Sequence, residues 1–410
     1  MAGIYLHIPF CRQACHYCNF HFSTSLQRIN DFIEALLKEM QYRKDYLGRE
    51  SVDTIYFGGG TPSLLEGKAL DTILAELRRH FHIAAGAEIT LEANPDDIVA
   101  KSPLLSWKRA GINRLSIGIQ SFFEEDLRWM NRAHSADQAL ETIRATREAG
   151  FENFSIDLIY GSPGLSDEGW QKNIRTAIGL GIPHLSCYAL TVEPRTALDH
   201  LIKKQKSPDI DPDVQARQFL ILMDEAASAG YEHYEISNFA FPGHRSRHNS
   251  SYWQGKPYLG LGPSAHSFNG HSRQWNVSNN AEYIDYWLGP DPASMATPPS
   301  PDNHSHSGTP PAPPRSPQPE ARSSAPPGGY EELTPTQQLN EYVMISLRTL
   351  EGCDLSLVSG RFGPPIAARL RARAGRYLQS GKMEETMGRL VLTRPGRLLA
   401  DGIAADLFFD

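Results

Sequence analysis

Three cysteines crowded into one short stretch constrain this chain more than any other feature. Cys11, Cys15 and Cys18, three of the five cysteines in 410 residues, form a C-x3-C-x2-C run within residues 5–20, Tyr-Leu-His-Ile-Pro-Phe-Cys-Arg-Gln-Ala-Cys-His-Tyr-Cys-Asn-Phe. Gly3 to Ile8 leads into the run as an apolar, strand-like segment. Soft thiolates at this density select zinc or iron–sulfur chemistry over calcium or magnesium. A closed zinc site needs a fourth ligand, which His7, His16 or His21 could supply. An iron–sulfur cluster ordinarily takes four thiolates, so three leave one iron open to a small molecule. The odd, crowded set makes a poor disulfide framework. The spacing favours the open cluster, with zinc and plain structural thiols as the alternatives.

Length and charge narrow the remaining classes. The chain is long enough for two or three domains, or for one large α/β domain with an appendage. A formal charge of −7 argues against a nucleic-acid partner reached through a general basic field. No apolar run approaches the ~20 residues a bilayer crossing requires. Met1 to Tyr5 reads as running straight into the first strand, without a secretory leader. Cysteine usage fits a reducing cytoplasm, with Cys187 and Cys353 as buried thiols.

Strand and helix patterns alternate from there. Helix is expected over Leu26–Leu47, Lys68–His82 and Asp213–Gly230. Strands are expected at Val52–Phe57, Glu88–Glu92, Arg114–Ile119, Phe154–Ile159 and His184–Ala189. With Gly3–Ile8, these six strands imply parallel pairing through right-handed crossovers, hence an α/β sheet or barrel. In such barrels the working residues sit where strands pass into loops. The cysteines follow the first strand and Gly58-Gly59-Gly60-Thr61-Pro62 the second, while Glu92, Gln120, Asp157 and Ala189 close the next four. Each has a plain structural alternative: glycines for positive φ, Glu92 before an Asn94-Pro95 turn, Arg132 as a solvated helix-end arginine. Buried Gln120 and Asp157 need partners, and a ligand is one.

The cysteine spacing on the loop after a first strand resembles the signature of radical S-adenosylmethionine (SAM) proteins. That resemblance implies a [4Fe–4S] cluster on Cys11, Cys15 and Cys18, with SAM on the fourth iron. Tyr5, Gly-Gly-Gly-Thr-Pro, Leu-Glu-Ala-Asn-Pro, Ser-Ile-Gly-Ile-Gln-Ser-Phe and Ile-Asp-Leu-Ile-Tyr-Gly together resemble the branch holding oxygen-independent coproporphyrinogen III oxidase and its HemW relatives. The likeness implies SAM contacts from Tyr5, Tyr17, Gly59 and Glu92. It implies contacts to a second SAM from Gly60, Thr61, Gln120, Arg132, Asp157 and Ala189.

Beyond the last strand, His244-Arg245-Ser246-Arg247-His248-Asn249-Ser250-Ser251-Tyr252-Trp253 sets a histidine among arginines and aromatics, on what reads as a loop. Imidazole can ligate haem iron, arginine can pair with propionates, and Tyr and Trp can stack on a macrocycle. The alternative is a packed segment whose histidine is satisfied by hydrogen bonds. His248-Asn249-x-x-Tyr252-Trp253 resembles the H-N-x-x-Y-W motif of HemW haem chaperones, and implies haem contact by those four residues. Phe20 stands where the oxidase has its fourth cysteine, which counts against oxidase activity.

The domain organisation expected is a barrel over 1–235, an extension carrying the motif over 236–289, a proline-rich disordered linker over 290–329, and a C-terminal unit over 330–410. The last resembles the family's small, mainly helical, winged-helix-like domain, with a lid or acceptor-docking role. The fold class is therefore α/β, a partial (β/α)6 radical SAM barrel followed by that unit. The resemblance implies a cytoplasmic haem chaperone serving acceptor haemoproteins. Respiratory acceptors, membrane contact through them, and a homodimer are consistent with it. The rival is a radical SAM oxidase of coproporphyrinogen III.

Overall fold

The computed structural model describes residues 2–101, 103–290 and 326–410. Six strands, β1 (Ala2–Ile8), β2 (Val52–Gly59), β3 (Ile83–Ala93), β4 (Arg114–Gln120), β5 (Phe154–Tyr160) and β6 (His184–Ala189), pair in chain order. Every adjacent pair is parallel. The crossovers run through α1 (Ile29–Tyr42), α2 (Gly67–His80), α3 (Pro95–Lys101), α4 (Leu104–Ala110), α5 (Glu124–Trp129), α6 (Ala136–Glu148) and α7 (Asp167–Gly179). This is the expected partial (β/α)6 barrel.

Helix faces explain the outer layer. In α1 the buried Phe32, Ala35, Leu36 and Met40 recur at helical spacing and turn one apolar stripe onto the sheet. Ser135 and Gln138 close a reciprocal capping box at the start of α6. The strands alternate with equal regularity. Ile55 and Phe57, Ile89 and Leu91, Leu115, Ile117 and Ile119, and Ile156 and Leu158 all belong to the large apolar core. The residues between them point the other way and are polar: Thr54 and Tyr56, Glu88, Thr90 and Glu92, Arg114 and Ser116, Ser155 and Asp157, His184 and Ser186. The barrel interior is therefore polar.

After β6 come α8 (Ala197–Lys203), α9 (Pro212–Ser228), β7 (Glu232–Glu235), β8 (Asn238–Ala240), α10 (Arg247–Trp253), β9 (Tyr258–Leu261), β10 (His266–Phe268), β11 (Ser272–Asn276) and α11 (Asn280–Leu288). β9 joins β1 in parallel, β8 joins β6 antiparallel, and both edges of the sheet extend outward. The segment expected as a motif-bearing loop is helical: His248, Asn249, Tyr252 and Trp253 all lie on α10, whose Ser246 cap accepts from the Asn249 amide. Most of the proline-rich segment lies outside the described residues. Its end, with the start of the expected C-terminal unit, forms β12 (Gly328–Glu332) on β11, the outermost of twelve strands.

The C-terminal helices α12 (Pro335–Leu347), α13 (Leu355–Phe362), α14 (Pro364–Gln379), α15 (Arg394–Arg397) and α16 (Ala400–Asp406) enclose a second apolar core around Val343, Val358 and Leu390. A small antiparallel sheet of β13 (Cys353–Asp354), β14 (Met383–Thr386) and β15 (Arg389–Leu392) supplies the wing-like hairpin. Cys187 and Cys353 are both 1% exposed, as buried thiols should be.

Candidate functional site

The C-terminal ends of the parallel strands open into one cavity of about 910 Å³. The sequence-expected residues Cys11, Cys15, Tyr17, Cys18, Gly59, Gly60, Thr61, Glu92, Gln120, Arg132, Asp157 and Ala189 all line it. Far-separated segments meet there because β1 to β6 run side by side in one direction.

The glycines that line the cavity also allow a close approach within the chain. Gly59 has φ +106°, and a Cβ on it would meet the His7 ring at 2.8 Å. A Cβ on Gly60 would meet the Phe10 carbonyl oxygen at 2.7 Å. These two residues let the chain entering the cysteine loop pass close over β2. Thr61 Oγ1 then donates to Cys11 Sγ at 3.3 Å, and Arg132 Nη1 donates to Cys15 Sγ at 3.3 Å. Burial pushes the Cys11 thiol up to about 11, and that of Cys18 upward as well. Sulfurs that receive hydrogen bonds suit a thiolate-bound cationic centre, so this donor set fits an iron–sulfur cluster.

The three histidines offered as a fourth zinc ligand each commit one ring nitrogen to a hydrogen bond within the chain. His7 Nε2 is bonded to the His21 carbonyl at 2.8 Å, His16 Nδ1 to the Trp129 carbonyl at 2.8 Å, and His21 Nε2 to Asn280 Oδ1 at 2.7 Å. Among the described residues, no three His, Cys, Asp or Glu side chains gather as ligands of a single metal ion.

The rim electrostatics are unusual. Glu92 accepts from Tyr56 Oη at 2.8 Å, and burial raises its carboxyl to about 8. Burial likewise raises Asp157 to about 6, and Ser116 Oγ reaches it at 3.5 Å. Arg132 gives Nη2 to Asn94 Oδ1 at 2.6 Å and to the Gly118 carbonyl at 2.9 Å, while its buried Nε has no partner. No described carboxylate forms an ion pair with it, which suits an anionic ligand group. Gln120 ends β4 at φ +66°, in the left-handed region that costs an ordinary residue about 1–2 kcal/mol. Such strain at a cavity wall accompanies binding sites.

The remaining expected residues lie elsewhere. Tyr5 is behind the rim, its hydroxyl 3.1 Å from His7 Nδ1. None of the four α10 residues lines the cavity: His248 packs at the other end of β2 and β3, while Trp253 touches Arg348 behind the cavity wall. Both Glu88 carboxylate oxygens accept α10 amides, Arg247 N at 3.2 Å and His248 N at 3.0 Å. His248 is 1% exposed, with Nδ1 on Thr54 Oγ1 at 2.8 Å and Nε2 on Tyr252 Oη at 2.9 Å. Burial lowers its pKa to about 3, so the ring is neutral. It stacks on Tyr56 with centroids 5.0 Å apart. Asn249 is half-buried, and Trp253 lies under the Arg348 guanidinium at 5.3 Å. The flanking arginines are committed as well, Arg245 to Glu232 and Glu351, Arg247 to the Gly86 carbonyl.

Comparison with known proteins places this architecture. The model of the radical SAM superfamily matches residues 5–177, and that of the HemN C-terminal domain matches 333–399. A Mycobacterium tuberculosis protein named heme chaperone HemW is 33% identical over 99% of this chain and 94% of its own. The Bacillus subtilis protein of that name is 30% identical over 98% of both. The chain belongs to the HemW family. The solved structure of Escherichia coli coproporphyrinogen III oxidase (HemN) shares the fold with a TM-score of 0.78 at 22% identity, covering 99% of this chain and 90% of that one. In this HemW-family chain Phe20 is 66% exposed at the cavity mouth.

Sequence reasoning missed part of the wall. Arg348, Arg397 and the start of α16 line the cavity from the C-terminal region, and Tyr188 lines it from β6. Nothing local to 348 or 397 signals this, because docking against the barrel alone puts them there. Tyr188 was legible, two residues beyond Ser186 on the polar face of its strand.

Proposed function

We propose that this chain is a cytoplasmic haem chaperone that receives haem and passes it to acceptor haemoproteins. What supports this most is one cavity that unites three thiols, a poised carboxylate and an arginine with an unpartnered Nε, in a chain with full-length HemW relatives. A [4Fe–4S] cluster on Cys11, Cys15 and Cys18 would leave one iron open to SAM and supply an electron. Tyr17, Gly59 and Glu92, with Tyr5 behind them, would hold that SAM. Gly60, Thr61, Gln120, Arg132, Asp157 and Ala189 would shape any second SAM site.

Within this reading, Glu92 accepts hydrogen bonds from hydroxyl or cationic groups, with Tyr56 fixing its orientation. Arg132 offers its free Nε–H to a carboxylate. Direct haem contact by His248, Asn249, Tyr252 and Trp253 requires α10 to give up the Thr54 and Tyr252 bonds. The arrangement favours His248 as a positioning residue, bracing Tyr56 and through it Glu92.

Anaerobic isolation tests the assignment. Wild type should carry four iron and four sulfide per chain, bind haem, and deliver it to an apo-haemoprotein. A Cys11→Ala, Cys15→Ala, Cys18→Ala variant should hold no iron. Zinc in place of iron and sulfide, or rapid conversion of coproporphyrinogen III to protoporphyrinogen by the loaded protein with SAM, would overturn the chaperone reading.

A further inference from the structure

Arg397 is the C-terminal arginine that lines the cavity without an ion pair among the described residues. The other C-terminal arginines near acids are neutralised: Arg348 by Glu235 and Asp401, Arg371 by Glu385, Arg376 by Asp406, Arg389 by Asp354 and Arg394 by Asp224. The hydrogen-bond partner of Arg397 is His233, whose Nδ1 accepts from Nη1 at 2.6 Å.

That partner leaves the charge uncompensated. His233 Nε2 lies 3.0 Å from the Ile236 carbonyl oxygen, an acceptor only, so Nε2 carries the proton and Nδ1 the lone pair. The imidazole is neutral, pressed against Phe239 with ring centroids 4.0 Å apart. Burial also pulls the Arg397 guanidinium below its ordinary value. A partly buried cation held in place by a neutral acceptor is built to receive an anion.

The surroundings say which anion. Phe20, Tyr188 and Leu399 are 66%, 42% and 47% exposed, and all three line this same cavity. Single exposed apolar side chains are ordinary, but three around one opening mark a surface for an apolar ligand. They come from the cysteine loop, β6 and the turn before α16, so the ligand spans barrel and C-terminal region. A flat apolar body with a carboxylate at its edge satisfies both features.

We propose that Arg397 is a carboxylate clamp, taking a propionate of a tetrapyrrole whose macrocycle lies against Phe20, Tyr188 and Leu399. This rests on the haem reading above. It places the macrocycle in the strand-end cavity, at the opposite end of the barrel from His248.

The test is an optical titration of cluster-loaded, full-length protein with haem and with haem dimethyl ester, which lacks free carboxylates. Wild type should bind haem at least tenfold more tightly than the ester. Arg397→Ala should lose that tenfold and bind the two alike, with iron, sulfide and SAM binding unchanged. Arg397→Lys should recover part of the preference. Equal binding of haem and ester by wild type, or undiminished haem affinity in Arg397→Ala, would overturn the clamp and leave the haem reading standing. Absence of haem binding by wild type would overturn both. The ester comparison needs no variant, so a misfolded Arg397→Ala leaves the proposal decidable.

Discussion

Replacing His248 by alanine separates an exposed haem ligand from a buried positioning residue. The imidazole is 1% exposed and satisfies two hydroxyls, Thr54 Oγ1 at 2.8 Å and Tyr252 Oη at 2.9 Å. Thr54 is itself 3% exposed, so its hydroxyl would be stranded at a cost of about 1–3 kcal/mol. Tyr252 is only half-buried and its hydroxyl loses less. The ring stack on Tyr56 adds about 0.5–1.5 kcal/mol. The vacated volume adds a further cavity term. Together these give a loss of about 3–5 kcal/mol, a large share of the ~5–15 kcal/mol that stabilises an ordinary domain. Urea unfolding followed by circular dichroism should show the midpoint fall at constant slope. SAM affinity should fall as well, because Tyr56 loses its brace and Glu92 its fixed orientation. His248→Gln, which can reach one hydroxyl, should recover part of both. A stability change below about 1 kcal/mol, accompanied by complete haem loss, would refute this reasoning and return His248 to the role of axial ligand.

Two further predictions follow from buried carboxylates. Glu39 is fully buried and accepts from Arg43, Asn276, Tyr283 and the Gly262 amide, so Glu39→Ala should cost about 3–5 kcal/mol in urea unfolding. A change under 1 kcal/mol would show that the network is dispensable. Glu92 is raised from 4.5 to about 8, so it contributes stability below pH 4.5 that is lost as pH rises towards 8. Free protein then holds this proton at neutral pH, and ligands that need the carboxylate must displace it. SAM affinity of the cluster-loaded protein should weaken by up to about tenfold per unit below pH 8. Glu92→Gln should flatten the profile, and a flat wild-type profile would exclude Glu92 as the titrating group.

The barrel was readable because its evidence is local and repeated. Alternation of strand and helix patterns over six units gave the parallel order, and β6 occupies His184–Ala189 as expected. The rim was readable because polar residues closing apolar strands have few structural explanations. Two features were missed, one of them legible and one not. Arg114–Gln120 and Phe154–Tyr160 also alternate polar and apolar inside each strand. That pattern announces a polar barrel interior, a stronger statement than polar strand ends. The C-terminal wall of the cavity had no local signal, since Arg397 reads as one more arginine beside Arg394 until docking sets it over His233.

The motif on α10 shows why a residue string leaves location open. His248-Asn249-x-x-Tyr252-Trp253 carries the right chemistry for haem, but its direction is decided by Glu88, 160 residues earlier. A polar barrel interior has two ends, and unsatisfied groups at either one are costly. Ligands can serve the strand-end rim, where Arg132 keeps an unpartnered Nε. The other end is filled by protein: α10 brings its first amides to Glu88 and its imidazole to Thr54. Arg114, 1% exposed with its Nε 3.9 Å from Glu88, still has no hydrogen bond at Nε or Nη2. Closing that end therefore demands donors and acceptors rather than an apolar plug, and a short helix rich in His, Asn, Ser and Tyr supplies them. The composition that reads as a haem site in sequence is equally the composition required to seal a polar barrel, and the hydrogen-bond partners of His248 favour the second role.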